Sequence, residues 1–218
     1  MRLYLIIITI LAIFIHRGVW AKTLIVTHAD SRYDENSSAG PRTKFLLEQP
    51  FTHKILLVNP KGGLDRLTFD KFGLEFESRK SEEGEIKWND SDSEITLSGG
   101  YFEACFINTL HDILTQSKKN LRIRVDMSAT YDFLDNFVQN PSRYNSNYTQ
   151  STVLNLNEIA QMSGDMNLKM TILAKLYYQV GKWMKNQELN ETTIYVQLKR
   201  KKIAEIGEGF RSVQLDFE

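Results

Sequence analysis

Residues 94–126 constrain the fold more than any other segment of the chain. Glu94-Ile95-Thr96-Leu97-Ser98 alternates and carries β-branched residues, so it reads as a strand, and it runs into Gly99-Gly100. Phe102, Cys105, Phe106, Thr109, Leu110, Ile113 and Leu114 then recur at spacings of three and four, which predicts an amphipathic helix over 101–117. Leu121-Arg122-Ile123-Arg124-Val125-Asp126 returns to a strand pattern. Two strands joined by a helix pair in parallel, and parallel sheets usually carry helices on both faces. The expectation is an α/β fold: a Rossmann-like, mostly parallel sheet flanked by helices, with edge hairpins including a C-terminal one.

The remaining chain fits that scheme. Thr23 to His28 and Lys54 to Val58 are short apolar runs of the buried-strand type, and Thr43 to Gln49 reads as a short helix ended by Pro50. Leu74 to Ser78 and Glu85 to Trp88 alternate about the Gly84 region, which predicts an edge hairpin. Tyr131 to Val138 and Asn155 to Met162 read as short helices, separated by the polar loop Gln139 to Thr152. Asp165 to Asn186 reads as a long helix with Asp165 as N-cap, and its apolar face is Leu168, Ile172, Leu176, Val180 and Trp183. Thr192 to Lys199 and Phe210 to Phe217 flank Gly207-Glu208-Gly209 as the predicted terminal hairpin.

The amino terminus has the form of an export signal. Arg2 precedes an apolar run from Leu5 to Ile15, and Val19 and Ala21 sit in the small-residue pattern of a cleavage site. The run is too short for the ~20 apolar residues that a spanning helix needs. Residues 1–21 are therefore expected to be a signal peptide and 22–218 a single α/β domain. The protein is expected to be exported, periplasmic or secreted, with no stable membrane anchor after cleavage. Basic and acidic side chains balance at 27 each, and loss of Arg2 and Arg17 with the leader leaves 25 against 27. That balance gives no electrostatic case for nucleic acid, so the partner is expected to be a small molecule or a protein.

One cysteine excludes an intrachain disulfide framework, and three histidines after residue 21 (His28, His53, His111) make a multi-histidine metal site improbable. No phosphate loop, GxGxxG, HExxH or GxSxG occurs, and no cofactor or metal is expected. Asn89 to Glu94 lacks the glycine and spacing of a calcium loop, and Lys199-Arg200-Lys201-Lys202 suits protection of a sheet edge. Ligands in open α/β sheets bind beyond the carboxyl ends of the strands. His28 with Asp30, the Gly99-Gly100 turn and Asp126 occupy such ends.

Gly99 to Asp112 follows a strand and opens a helix. It resembles the nucleophile motif of isochorismatase-like cysteine hydrolases: Gly99, Glu103, Cys105, Thr109 and Asp112 stand where that motif has glycine, aspartate, cysteine, threonine and a second aspartate. The strand that continues into Val125 to Thr130 also resembles that family. The resemblance spans roughly residues 94–130. It implies a Cys105 nucleophile at a helix start, an aspartate base after the first strand, and a lysine between the second strand and the cysteine. His28 holds the register of the base, with Asp30 two residues on; Lys80 and Lys87 lie in the interval where the lysine is expected, neither in a matching context; Phe102 replaces the motif's threonine.

Two functions follow. A noncatalytic binding or interaction module is the first, with Cys105 a buried apolar residue. The second is a divergent thiol hydrolase acting on an amide or similar small substrate. In it Cys105 attacks, His28 or Asp30 accepts the proton, and the amides near Gly99 and Gly100 hold the oxyanion, with Asp126 close to the ligand.

Overall fold

The computed structural model describes residues 22–28, 39–60, 73–89, 92–138 and 153–218. The predicted signal peptide, Asp30 and the loop at 139–152 lie outside these residues.

Lys22–Thr27 forms β1, Ala39–Glu48 α1, His53–Val58 β2 and Glu77–Lys80 β3. Glu94–Gly99 is β4, and a π-helical turn at Phe102–Phe106 leads without a break into α2, Ile107–Gln116. Leu121–Val125 is β5; Tyr131–Phe133 and Val153–Asn155 form a separate antiparallel ribbon, β6 and β7. Leu156–Ser163 is α3, Asp165–Lys185 α4, Thr192–Leu198 β8, Lys201–Ile206 β9 and Arg211–Phe217 β10.

Eight strands make one sheet in the order β3-β2-β1-β4-β5-β10-β8-β9. Every pairing is parallel except β8 with β9. The unit at 94–126 is therefore the expected one, with Ile95 opposite Ile123 and Leu97 opposite Val125. The sheet reverses its order of growth between β1 and β4, the point where open α/β sheets form their ligand crevice.

One face carries the larger core. Ile25, Leu97, Ile123, Leu215 and Val196 from five strands meet Phe106, Leu110 and Ile113 of the α2 segment and Leu168, Ile172 and Leu176 of α4. On the other face Leu24, Val26 and Leu56 meet Leu46 and Leu47 of α1. Among the described residues no helix covers that face beyond β4. The reason is written in β5, β10 and β8, which alternate: Arg122 is exposed and Arg124, Gln214, Tyr195 and Gln197 are half-buried between fully buried apolar neighbours. Such strands need a helix on one side only.

Several local expectations are corrected. The segments 74–78 and 85–88 do not pair as a hairpin. Instead β3 joins β2 in parallel, and 85–88 lies along α2, where Ile86 N–H donates to Asp112 (2.8 Å) and Trp88 N–H to Gln116 (2.7 Å). Side-chain acceptors on the helix replace the strand partner. Tyr131 to Val138 is not a helix but β6 followed by a 3-10 turn at Leu134–Asn136. The C-terminal hairpin is present, yet its strands are β8 and β9, turning at Lys199 and Arg200, and β10 inserts in parallel between β5 and β8. Gly164, not Asp165, occupies the N-cap position of α4.

Candidate functional site

The strand ends fix the site. Thr27 of β1 pairs with Gly99 of β4, and a Cβ on Gly99 would lie 2.3 Å from the Thr27 carbonyl oxygen. With φ at +81° as well, only glycine lets the two strand ends approach this closely. His28 leaves β1 at φ +43°, a conformation rare for residues other than glycine, and its N–H donates to the Leu57 carbonyl at 3.0 Å. That bend turns the ring toward the helical turn that follows β4.

There it meets Cys105. His28 Nδ1 lies 3.0 Å from Cys105 Sγ, and Nε2 lies 3.0 Å from the carbonyl oxygen of Ser81. A carbonyl only accepts, so Nε2 carries the hydrogen and Nδ1 presents its lone pair to the thiol, which donates. The imidazole is buried and the cysteine half-buried. Cys105 stands in the π-helical turn, a feature that concentrates at functional positions, and strained non-glycine backbone such as that of His28 does the same.

A turn from Ser81 to Glu85 braces the pair. Gly84 N–H donates to Ser81 Oγ (2.8 Å), Ser81 Oγ–H donates to Glu85 Oε2 (2.9 Å), and Glu83 N–H donates to the same oxygen (3.0 Å). Thr109 Oγ lies 2.6 Å from the Gly84 carbonyl oxygen and 2.9 Å from that of Cys105. Neither Ser81 nor Glu85 stands out as functional in the sequence. The available signal was a Ser-x-x-Gly turn signature, and nothing local ties it to a histidine 53 residues earlier.

The backbone N–H groups of Glu83 and of Glu85 itself hold the Glu85 carboxyl below its ordinary value of 4.5, helped by the Ser81 hydroxyl and the nearby His28 and opposed by burial. A folded-state value below the unfolded one means that the turn is fully stabilised above pH 4.5. That stabilisation is lost as pH falls through the lowered value. The Gly84 amide proton shift, followed by NMR, should therefore titrate with a midpoint below 4.5.

The other predicted residues divide. Asp126 is buried and its carboxylate is committed: Oδ1 accepts the N–H groups of Ser128 and Ala129, and Oδ2 accepts Arg42 Nε (2.8 Å) and Nη2 (2.6 Å). Gly99 N–H donates to the Ala129 carbonyl at 2.8 Å, so it is not available to an oxyanion. Gly100, at φ +69°, packs against the cysteine side chain: a Cβ built there would lie 3.2 Å from Cys105 Cβ. Glu103 pairs with Lys175, which also faces Asp132 at 3.5 Å. Burial pushes the Asp132 carboxyl up, and Lys175 pulls it back only in part. Phe102, in the threonine position of the motif, is fully buried against Phe106 and Phe217. Lys80 ends β3, one residue before Ser81, and a cleft of about 650 Å³ lies beside it, lined also by Glu85, Lys87 and Asp112. His111 contacts Glu188 at 3.0 Å, away from the pair.

Among the described residues no three His, Cys, Asp or Glu side chains converge to hold a metal ion, and no helix is long and apolar enough to cross a membrane. Compared with protein-family models, curated proteins and solved structures, the chain has no match.

Proposed function

We propose that this chain is a thiol hydrolase in which Cys105 is the nucleophile and His28 the base, acting on an amide or similar small substrate. The carrying observation is the 3.0 Å approach of His28 Nδ1 to Cys105 Sγ, with the tautomer set by Ser81. A nucleophile, an adjacent base and a third group orienting that base form the pattern of activated nucleophiles. Cys105 Sγ attacks the carbonyl carbon, and its proton passes to Nδ1. The C–N bond then breaks, the leaving amine takes that proton, and an acyl thioester remains. Water attacks the thioester while Nδ1 accepts its proton, and the proton returns to the sulfur as the acid leaves. Because the Gly99 amide is engaged, the oxyanion falls to the Gly100 side of the turn.

Two placements are in keeping with the isochorismatase-like resemblance: the base position ends β1, and the cysteine opens the helix after β4. The departure is chemical: an imidazole stands in place of the carboxylate base. In this reading the active form is exported and lacks residues 1–21.

The alternative, a noncatalytic module with an inert Cys105, makes the opposite prediction in one experiment. The native protein should take up one carbamidomethyl group from iodoacetamide at about pH 6.5, two units below an ordinary thiol pKa of ~8.5. Intact-mass measurement reads the product, and Cys105→Ser should abolish it. Labelling that needs prior unfolding would return the chain to the binding-module reading.

A further inference from the structure

We infer that Glu85 is a positioning residue for the Cys105–His28 pair, acting through Ser81; the inference rests on the thiol reading above. Glu85 touches neither the sulfur nor the imidazole by a hydrogen bond. What it does is gather the turn that carries the imidazole's acceptor. A single carboxylate oxygen, Oε2, receives both the Ser81 hydroxyl (2.9 Å) and the Glu83 N–H (3.0 Å). Ser81 Oγ in turn receives the Gly84 N–H at 2.8 Å, so the hydroxyl closes the turn whose first carbonyl points at Nε2.

The ends of this turn are held elsewhere. Ser81 N–H donates to the Val58 carbonyl at 3.0 Å, Thr109 reaches the Gly84 carbonyl, and Ile86 N–H is tied to Asp112. Those contacts keep the turn against the sheet and α2, but none of them orients the Ser81 carbonyl. Losing that orientation releases Nε2–H, and the ring can then take the other tautomer. The other tautomer offers Nδ1–H to the sulfur instead of a lone pair, and a donor cannot remove the thiol proton. The wrong tautomer alone disables a base that is otherwise in place. The charged groups sharing the cleft with Glu85 are Arg79, Lys80, Lys87 and Asp112, with His28 on the inner side.

The test uses the full chain with Glu85→Ala, Ser81→Ala and the double variant. Iodoacetamide labelling of Cys105 is followed from about pH 5 to 8, and the His28 ring nitrogens are observed by ¹⁵N NMR. Each single variant should label about tenfold more slowly at pH 6.5, with its profile displaced toward alkaline pH, as expected for a misoriented base. The double variant should be no slower than either single one, because both break one chain of bonds. Glu85→Gln keeps an oxygen acceptor for Ser81 and Glu83 and should retain most of the rate. The ring signals should move from the Nε2–H form toward a mixture in the alanine variants.

Variants that melt earlier yet label at the wild-type rate with Nε2–H intact would make Glu85 merely structural and overturn the inference. An additive double variant would do the same. A wild-type protein that labels only after unfolding would overturn the thiol reading itself, and this inference with it.

Discussion

Replacing His28 with asparagine is expected to slow native alkylation of Cys105 by about a hundredfold at about pH 6.5. The magnitude follows from proton occupancy. An ordinary thiol with a pKa of ~8.5 is roughly one per cent thiolate two units below that value, and the thiolate is the species that reacts. In the wild type the lone pair of Nδ1 stands 3.0 Å from the sulfur and takes its proton, so the thiol no longer has to lose it to water. Asparagine replaces the basic nitrogen with an amide that cannot take up the proton, while tolerating the φ of +43° that the position imposes, so the backbone bend survives. His28→Ala should lose as much reactivity and some stability as well. Equal labelling rates in His28→Asn and the wild type would sink the dyad. The second-order rate with iodoacetamide, measured by mass spectrometry on protein shown to be folded, decides it.

Gly84→Ala should be the most damaging small substitution in the site. Its φ is +91°, and an added Cβ would lie 2.2 Å from the Cys105 carbonyl oxygen and 2.8 Å from both the carbonyl carbon and Cα of Cys105. All three are backbone atoms of a helical turn and cannot swing aside. Left-handed strain of 1–3 kcal/mol and a forced overlap of similar size together suggest a loss of about 3–5 kcal/mol. For a domain of this length that is a fall in Tm of roughly 10 °C. Reactivity should fall with it, since a turn pushed off α2 takes the Ser81 carbonyl away from Nε2. Gly164→Ala supplies the comparison: φ is +88°, but nothing lies within 4 Å of the added atom, so strain acts alone and the loss should be clearly smaller. Thermal and denaturant unfolding of the two variants would read the difference. Similar losses would mean that the contact with Cys105 carries no weight.

Much of the fold was legible because its signals are local. The βαβ unit at 94–126 announced itself through two β-branched runs, a glycine pair and a helical apolar stripe, each of which depends on neighbours within four residues. The alternation in β5, β8 and β10 marks a half-open sheet face, which the expectation of helices on both faces of a parallel sheet passed over. Where a segment's partner was distant, the local pattern misled. Glu85 to Trp88 alternates like a strand, but Asp112 and Gln116 on α2 take its N–H groups, so it never joins the sheet. Phe210 to Phe217 reads as the second strand of a hairpin because Gly207-Glu208-Gly209 looks like its turn, but β9 takes the antiparallel place beside β8 and β10 runs parallel to it.

The candidate site divides along the same line. Sequence alone determined that a cysteine opens the helix after a glycine turn, that a histidine ends the first strand, and that both belong to the carboxyl edge of a parallel sheet. Periodicity and turn chemistry are properties of short stretches, and they survive without a partner. Only the tertiary structure decided that His28 and Cys105, 77 residues apart, touch through Nδ1 and Sγ, and that Ser81 sets the tautomer. It alone decided that Asp126 and the Gly99 amide, both attractive on the linear chain, are consumed by Arg42 and by the turn to Ala129. The physical reason is strand order. Placing β1 beside β4 buries Ile25 and Leu97 in one shared core, and that long-range burial brings the two strand ends together.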